Sequence, residues 1–365
     1  MDTSDITRSY IIETARKYGF QRDTLEKVIR LYQILKDMSG IPLFRDCFAL
    51  KGGTAINLVC FNLPRLSVDI DLDFTRFGRM PELLPLRKEI KSALFDLLQS
   101  RGYTVGKLGK ELHTLDQWTF NYRSIAGNND HIKMELNYGI RNHFLPVVSK
   151  EINLDIVPDA GIRFPTLHPC ELFTTKINAL IERRAVRDLF DVYSLSQSNM
   201  LSTLREREML KKGIVFYQTI GVEGTARKEI DLSGIMDIEP SRIRSQLMPL
   251  LPSGKKFFPI DIAKRSTMQY LTSILTLSPR EREYMESFSK GIYKPELLFS
   301  DPEIIRRITD HPMALWKISR ITAAPGLSSR HRQIKRRGRK LSVPADNGSN
   351  RGRLPPYHMT KTDYP

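Results

Sequence analysis

A chain of 365 residues and 42.1 kDa, 41% apolar and 27% charged, has the size and composition of a folded protein with an ample core; a disulfide mini-domain, a fibrous repeat and a wholly disordered chain are excluded. Lys and Arg number 57 against 41 Asp and Glu, a formal charge of +16 that favours polyanionic or phosphate-bearing ligands. Cys47, Cys60 and Cys170 stand far apart, with no second cysteine or histidine at metal-ligand spacing, so neither a disulfide framework nor a zinc site is expected and a reducing cytoplasm is the natural compartment.

The first ten residues, MDTSDITRSY, lack the basic-then-apolar layout of a signal peptide, and no run approaches the ~18 apolar residues of a membrane span; no membrane partner is expected. Residues 5–40 carry two helical patterns. The second starts near Asp23, whose carboxylate is placed to cap Thr24, Leu25 and Glu26, and Leu25, Val28, Ile29, Tyr32 and Leu35 form its apolar stripe before Gly40-Ile41-Pro42 ends it. Phe48 to Leu58 passes through a Gly-Gly turn into a short helix, and Ser67 to Phe74 alternates as a strand does. A helix is expected over about 81–100, a hairpin from segments at 118–123 and 131–138, and a further strand at 152–157. From Pro169 the pattern is helical, strongest over 171–194, and 200–317 alternates helical stretches with Pro- and Gly-marked loops. The fold class is α+β: a small mixed sheet flanked by helices, then a mainly helical C-terminal region. Ala323 to Pro365 has too few large apolar side chains to fold alone and reads as a disordered basic tail. Ser328 to Pro365 holds ten basic residues against Asp346 and Asp363, half of the whole positive excess.

Chemistry concentrates in Lys51-Gly52-Gly53-Thr54 and, fifteen residues after Thr54, Asp69-Ile70-Asp71. On a strand Asp69 and Asp71 present both carboxylates on one face, while Val68, Ile70, Leu72 and Phe74 face the core. Paired carboxylates repel unless a cation lies between them, and hard oxygen ligands of this kind suit Mg²⁺ with substrate phosphates. A Gly-Gly-Thr turn entering a helix offers free N–H groups to an anion with no Cβ in the way. The plainer reading is an ordinary turn and a solvated sheet face. Asp73 continues the alternation, as a third carboxylate of that face or as an exit residue. No G-x-x-x-x-G-K-[ST] run exists, which removes a Walker-type site.

Lys51-Gly52-Gly53-Thr54-Ala55-Ile56-Asn57-Leu58, followed by Arg65-x-Ser67-x-Asp69-Ile70-Asp71-Leu72, resembles the first signature of the AbiEii-type nucleotidyltransferase toxins. These include the MenT toxins of mycobacteria and belong to the DNA polymerase β-like nucleotidyltransferase superfamily. Lys176-x-x-Ala179-Leu180-x-x-Arg183-x-x-x-Arg187-Asp188-x-x-Asp191-x-Tyr193 is similar to the family's second signature, and Tyr293 to Phe299 and His311 to Lys317 resemble its closing segments. On one continuous helix Lys176, Arg183, Arg187 and Asp191 would line one side; the plainer alternative is an exposed face laced with Arg184-Asp188 and Arg187-Asp191 pairs. The resemblance divides the chain into N-terminal helices (1–40), a nucleotidyltransferase core (41–168), a helical domain carrying the second motif (169–318) and the tail (319–365).

What the resemblance implies is a toxin of a bacterial toxin-antitoxin, or abortive infection, system that transfers a nucleotide from an NTP to an acceptor hydroxyl with Mg²⁺ and release of pyrophosphate. Asp69, Asp71, Lys176 and Asp191 would be catalytic. Gly52, Gly53, Thr54, Arg65, Ser67, Lys176 and Arg183 would bind the NTP. Asp69, Asp71 and Glu135 would hold the metal, although Glu135, on the alternating segment Lys133 to Asn137, reads equally as a surface residue. Asp188 would orient a neighbouring side chain. Partners would be an RNA acceptor such as the tRNA 3′ end, which a basic tail suits, and a separately encoded antitoxin. An antibiotic- or protein-modifying nucleotidyltransferase, or a catalytically silent nucleic-acid-binding protein, are the competing readings; the last predicts a broken Asp pair. His113, His131, His143 and His168 sit in no paired arrangement and read as surface or loop residues.

Overall fold

Thr7 accepts a hydrogen bond from the Tyr10 N–H and starts α1 (Arg8–Tyr18), which Gly19 ends in the left-handed conformation. In α2 (Arg22–Ser39) the stripe Leu25, Val28, Ile29, Tyr32 and Leu35 is buried as its spacing requires. The expected Asp23 cap does not form. The helix begins earlier, with Gln21 at its N-cap, and Arg22 holds the Asp23 carboxylate at 2.8 Å. This computed structural model describes residues 7–158, 161–221, 229–255 and 257–323; residues 319–322, expected to begin the tail, are helical, and the basic tail from 324 on lies outside the described residues.

After α3 (Pro42–Cys47) come β1 (Phe48–Leu50), α4 (Gly52–Ala55) with a π turn at Ile56–Cys60, β2 (Asp69–Phe74) and α5 (Met80–Ser100). β3 (Thr104–Glu111), β4 (Leu115–Arg123), β5 (Asn129–Asn137), β6 (Val148–Ile152) and β7 (Ile162–Thr166) complete an open sheet, ordered β3-β4-β5-β2-β1-β7-β6 among the described residues. It is mixed: β2 runs parallel to β5 and β1 to β7, and the other pairs are antiparallel. The hairpin expected near 118–138 is β4 and β5. The strand expected at 152–157 is not. β6 stops at Ile152, and Leu154, Ile156 and Val157 bury themselves in a turn closed by the Val157 N–H on the Leu154 carbonyl.

Ile70, Leu72 and Phe74 of β2 join Ile132, Met134 and Leu136 of β5 and Trp118 and Phe120 of β4 in one buried cluster. α5 adds Ile90, Leu94 and Leu98 to it and sets Phe95 edge-on to Trp118 and Phe120, at 5.3 and 5.7 Å. The alternation of β2 leaves Asp69, Asp71 and Asp73 for the other face.

His168 and Pro169 open α6 (Pro169–Arg183), which is followed by α7 (Val186–Ser196) and α8 (Leu204–Ile220). α9 (Ser241–Gln246), α10 (Ile260–Ile274), α11 (Pro279–Ser289), α12 (Pro302–Ile308) and α13 (Pro312–Thr322) make the rest helical. The one helix expected over 171–194 is two, because Arg184 takes a left-handed conformation (φ 52°) and turns the chain. α8, α11, α12 and α13 share a second apolar cluster, into which Phe144 reaches to stack on Phe299 at 5.7 Å. No helix of the described residues is long and apolar enough to cross a membrane.

Candidate active site

Gly52 leaves β1 with φ 69°, and a Cβ there would lie 2.6 Å from Asp71 Oδ2, so the Asp71 carboxylate rests against bare backbone. The Lys51 N–H donates to the Asp71 carbonyl at 3.0 Å and ties the turn to β2. A Cβ on Gly53 would stand 2.9 Å from an Arg65 guanidinium nitrogen and 3.1 Å from Ser67 Oγ. The buried Thr54 hydroxyl donates to the Asp69 carbonyl and lies 3.1 Å from Ser67 Oγ. The first N–H groups of such a turn have no helical acceptor and remain for a ligand.

The β2-β5 register sets Asp71 opposite Glu135 and Asp69 opposite Lys133. Burial, then the charges of Glu135 and Asp69, push the Asp71 carboxyl up to about 6 against the opposing pull of Lys51. Lys133 holds Glu135 at 2.5 Å. Among the described residues no group of three carboxylates, histidines or cysteines closes on one point; the acidic centre is the Asp69-Asp71 pair with Glu135 beside it. Asp73 shares their face but is buried and paired with Lys51 at 2.7 Å. Burial opposes the Lys51 charge, yet Asp73, Asp71 and Glu135 together raise its pKa.

The break at Arg184 creates the second half of the site. On a continuous helix Lys176 and Asp191 would share a side but stand roughly 22 Å apart along the axis. Folded back, Lys176 Nζ is 3.1 Å from Asp191 and 2.8 Å from Asp188. Asp188 also accepts two hydrogen bonds from Arg183, at 2.6 and 2.8 Å, and Asp191 takes a bidentate pair from the buried Arg65, at 2.8 and 2.6 Å. Burial opposes the Asp188 charge, but Lys176 and Arg183 outweigh it and hold this carboxyl well below the usual range. The surface pairs considered for Arg184 with Asp188 and Arg187 with Asp191 are not what forms: Arg184 reaches Asp237 at 3.5 Å, and both aspartates face inward.

The two halves meet, since Gly53 abuts Arg65, Arg65 grips Asp191, and Arg183 feels the charge of Asp71. Sequence reasoning missed a buried chain behind them. His143, expected at the surface or in a loop, is only 3% exposed, its Nδ1 3.2 Å from Glu171 and its Nε2 3.9 Å from Asp73. Glu171 in turn accepts from the Phe144 and Leu145 N–H groups and from the Tyr217 hydroxyl at 2.5 Å. His143 follows β5 in an irregular loop, where no periodicity marks a side chain as buried. His168 caps α6 by accepting from the Cys170 N–H, and His113 and His131 are exposed as expected.

A family model described as nucleotidyl transferase AbiEii toxin, type IV toxin-antitoxin system, matches residues 33–265. The fold is similar to that of MenT4, a nucleotidyltransferase toxin from Mycobacterium tuberculosis H37Rv, with a TM-score of 0.56 and 15% identity over 85% of this chain and 99% of that one. A candidate nucleotidyltransferase from H. pylori aligns at a TM-score of 0.42 and 17% identity, over 69% of this chain and 93% of that one. No curated protein matches. The matched span holds the glycine turn, the Asp69-Asp71 pair and the α6-α7 ion cluster together, and it covers well over half of the chain. The chain therefore belongs to the AbiEii nucleotidyl transferase toxin family of type IV toxin-antitoxin systems.

Proposed function

We propose that the protein transfers a nucleotide from an NTP to the 3′ end of an RNA acceptor such as tRNA, with Mg²⁺ and release of pyrophosphate. The observation that carries this is the Asp71 carboxylate: it lies against Gly52, crowded by Asp69 and Glu135, and sits within range of the Lys176-Arg183 cluster. Asp69 and Asp71 share one face of β2 and Glu135 stands opposite Asp71, a set of hard oxygen donors that fits a divalent cation. Asp69 and Asp71 would hold that cation, with Glu135 as a further ligand, and it would supply charge neutralisation at the phosphates.

The chain's own groups do the rest. The Gly52-Gly53-Thr54 backbone cradles the terminal phosphates, and Ser67 and Thr54 keep the turn docked on β2. Lys176 exchanges part of its pairing with Asp188 and Asp191 for the departing pyrophosphate. Arg65 holds the Asp191 carboxylate in place through its bidentate pair, and Asp191 accepts or orients the proton of the attacking hydroxyl. Arg183 adds positive charge at the rim and anchors Asp188, which positions Lys176. A separately encoded antitoxin opposes this activity in the cytoplasm. The silent-protein reading predicts a broken Asp pair, and here the pair is intact.

The test is incubation with each labelled nucleotide, Mg²⁺ and either total tRNA or small-molecule acceptors such as antibiotics. Label in the tRNA 3′ end, absent with Asp69→Asn and Asp71→Asn proteins of unchanged circular dichroism, is expected. Label on a small molecule instead would replace RNA as the acceptor, and undiminished transfer by either variant would remove the metal assignment.

A further inference from the structure

A groove of about 450 Å³ lies beside the phosphate-handling face of α6, and the reaction outlined above leaves it without a task. Thr175, Asn178 and Glu182 line it from α6; at 100° per residue they form a strip next to that of Lys176. Arg183 belongs to both strips, for it lines the groove while its guanidinium holds Asp188 and feels the Asp71 charge. Among the described residues the facing walls are apolar, with Ile140 from the loop after β5, Ile220 from the end of α8 and Met313 from α13.

Asn178 is 6% exposed, and its Nδ2 donates to the Thr174 carbonyl at 2.9 Å. That bond fixes the orientation of the amide and leaves Oδ1 buried, with no donor among the described residues. The Thr175 hydroxyl spends its proton on the Leu172 carbonyl at 3.0 Å, so its oxygen too can only accept. The Glu182 carboxylate is a third acceptor, and Gly221 keeps space around it, since a Cβ there would come within 3.1 Å of Glu182 Oε1. A buried acceptor lacking a donor is costly, and Asn178 Oδ1, with the more open Thr175 and Glu182 oxygens beside it, matches a ligand edge that donates.

We propose that this groove seats the base of the NTP and selects bases that carry an amino group, adenine, cytosine or guanine, over uracil. This rests on reading the neighbouring site as NTP-dependent. A flat ring suits a slot with apolar walls, and the volume is that of a small-molecule site. An amino N–H supplies the donor that Asn178 Oδ1 lacks. Uracil flanks its single N3–H with two carbonyl oxygens, which would be set against the oxygens of Asn178, Thr175 and Glu182. Such a polar mismatch at the buried Asn178 discriminates far more than a change in apolar bulk does.

The experiment measures transfer with CTP against UTP and with ATP against purine riboside triphosphate, for the intact protein, Asn178→Leu and Glu182→Gln. Equilibrium dialysis of the same nucleotides without acceptor runs beside it. The intact protein is expected to favour the amino-bearing member of the pair it uses by about tenfold or more in kcat/KM. Asn178→Leu should bring that ratio to within about threefold of unity through KM, and Glu182→Gln, an exposed position that tolerates the change, should relax it in the same direction. Equal use of both members by the intact protein, or a preference that both variants leave unaltered, overturns the proposal. An effect confined to the acceptor's KM would give the groove to the acceptor and overturns it likewise. If the intact protein transfers nothing, dialysis still decides: selective binding that Asn178→Leu abolishes upholds the inference while the transfer reading fails, and unselective or absent binding ends both.

Discussion

Asp71 and Asp188 are carboxylates of one site whose surroundings drive them in opposite directions. Asp71, desolvated and beside two other acids, is pushed up to about 6; Asp188, clasped by Lys176 and Arg183, is held below the ordinary range. The linkage follows from these signs. For Asp71 the folded state prefers the proton, so its ionisation weakens the fold fully above pH ~6 and not at all below the unfolded carboxylate value of ~4. Asp71→Asn should therefore raise the melting temperature by a few degrees at pH 8, lose that advantage near pH 4, and abolish transfer. Added Mg²⁺ should raise the melting temperature of the intact protein above pH 6 and leave Asp71→Asn unmoved; equal effects on both would remove Asp71 from the metal site. For Asp188 the contribution is present above pH ~4 and disappears as pH falls toward its depressed folded value. Removing that charge leaves Lys176 buried with a weakened partner set, so Asp188→Asn should cost about 2–4 kcal/mol in urea melts at pH 7. A neutral result there would show that Asp191 alone satisfies Lys176.

α6 and α8 approach each other through a glycine that intrinsic propensity disfavours. Alanine would suit the middle of α8 better by about 1 kcal/mol, but a Cβ on Gly213 would lie 2.7 Å from Thr174 Oγ1 and 2.8 Å from Phe144 Cζ. Packing overrules propensity, and Gly213→Ala should destabilise by about 1–3 kcal/mol, read as a lower urea midpoint at unchanged slope. Transfer should fall too, because α6 carries Lys176 and is displaced with it; a more stable variant would contradict this close approach. Elements like α2 and β2 were legible from sequence because one side of each is apolar and the other carries polar or charged residues, which writes a period into the residues. β1 is three residues, all buried, and writes none. β3 is an edge strand interrupted by Gly106 and Gly109, whose register shifts between Val105 and Gly109. The turn between α6 and α7 carries no glycine or proline, since the left-handed residue is Arg184, so the two helices read as one. The motifs nevertheless named side chains that the fold brings together, because glycine against carboxylate and lysine near aspartate are type requirements. Their partners stayed hidden: Arg65 meets Asp191 across 126 residues, and no local spacing reports such a pair.

Across the whole molecule two apolar clusters share α8, which gives Leu210 and Ile214 to the one around the sheet and Val215, Phe216, Tyr217 and Ile220 to the other. The closing segments of the sequence serve the second cluster. Phe299 stacks on Phe144, the Tyr293 hydroxyl donates to the Ile308 carbonyl at 2.7 Å, and His311 is buried against Phe216. Burial then drives the His311 pKa down to about 3, so this ring stays neutral in the core at physiological pH and adds nothing to the positive field. That field is unevenly distributed: Ser328 to Pro365 supplies eight of the sixteen excess positive charges, and the rest of the chain is only mildly basic. Charge of this kind attracts phosphates without reading sequence, and each phosphate neutralised releases counterions, with a slope of about −0.7 per contact on single strands. If the acceptor is RNA, deleting residues 328–365 should make the plot of log affinity against log salt shallower by roughly 3–6, the range that four to eight lost contacts would give. NTP binding should be unchanged, because the glycine turn, the Asp pair and the ion cluster all lie before residue 200. An unaltered slope would mean that the tail makes no phosphate contacts, and basic side chains before residue 328 would then have to hold the acceptor.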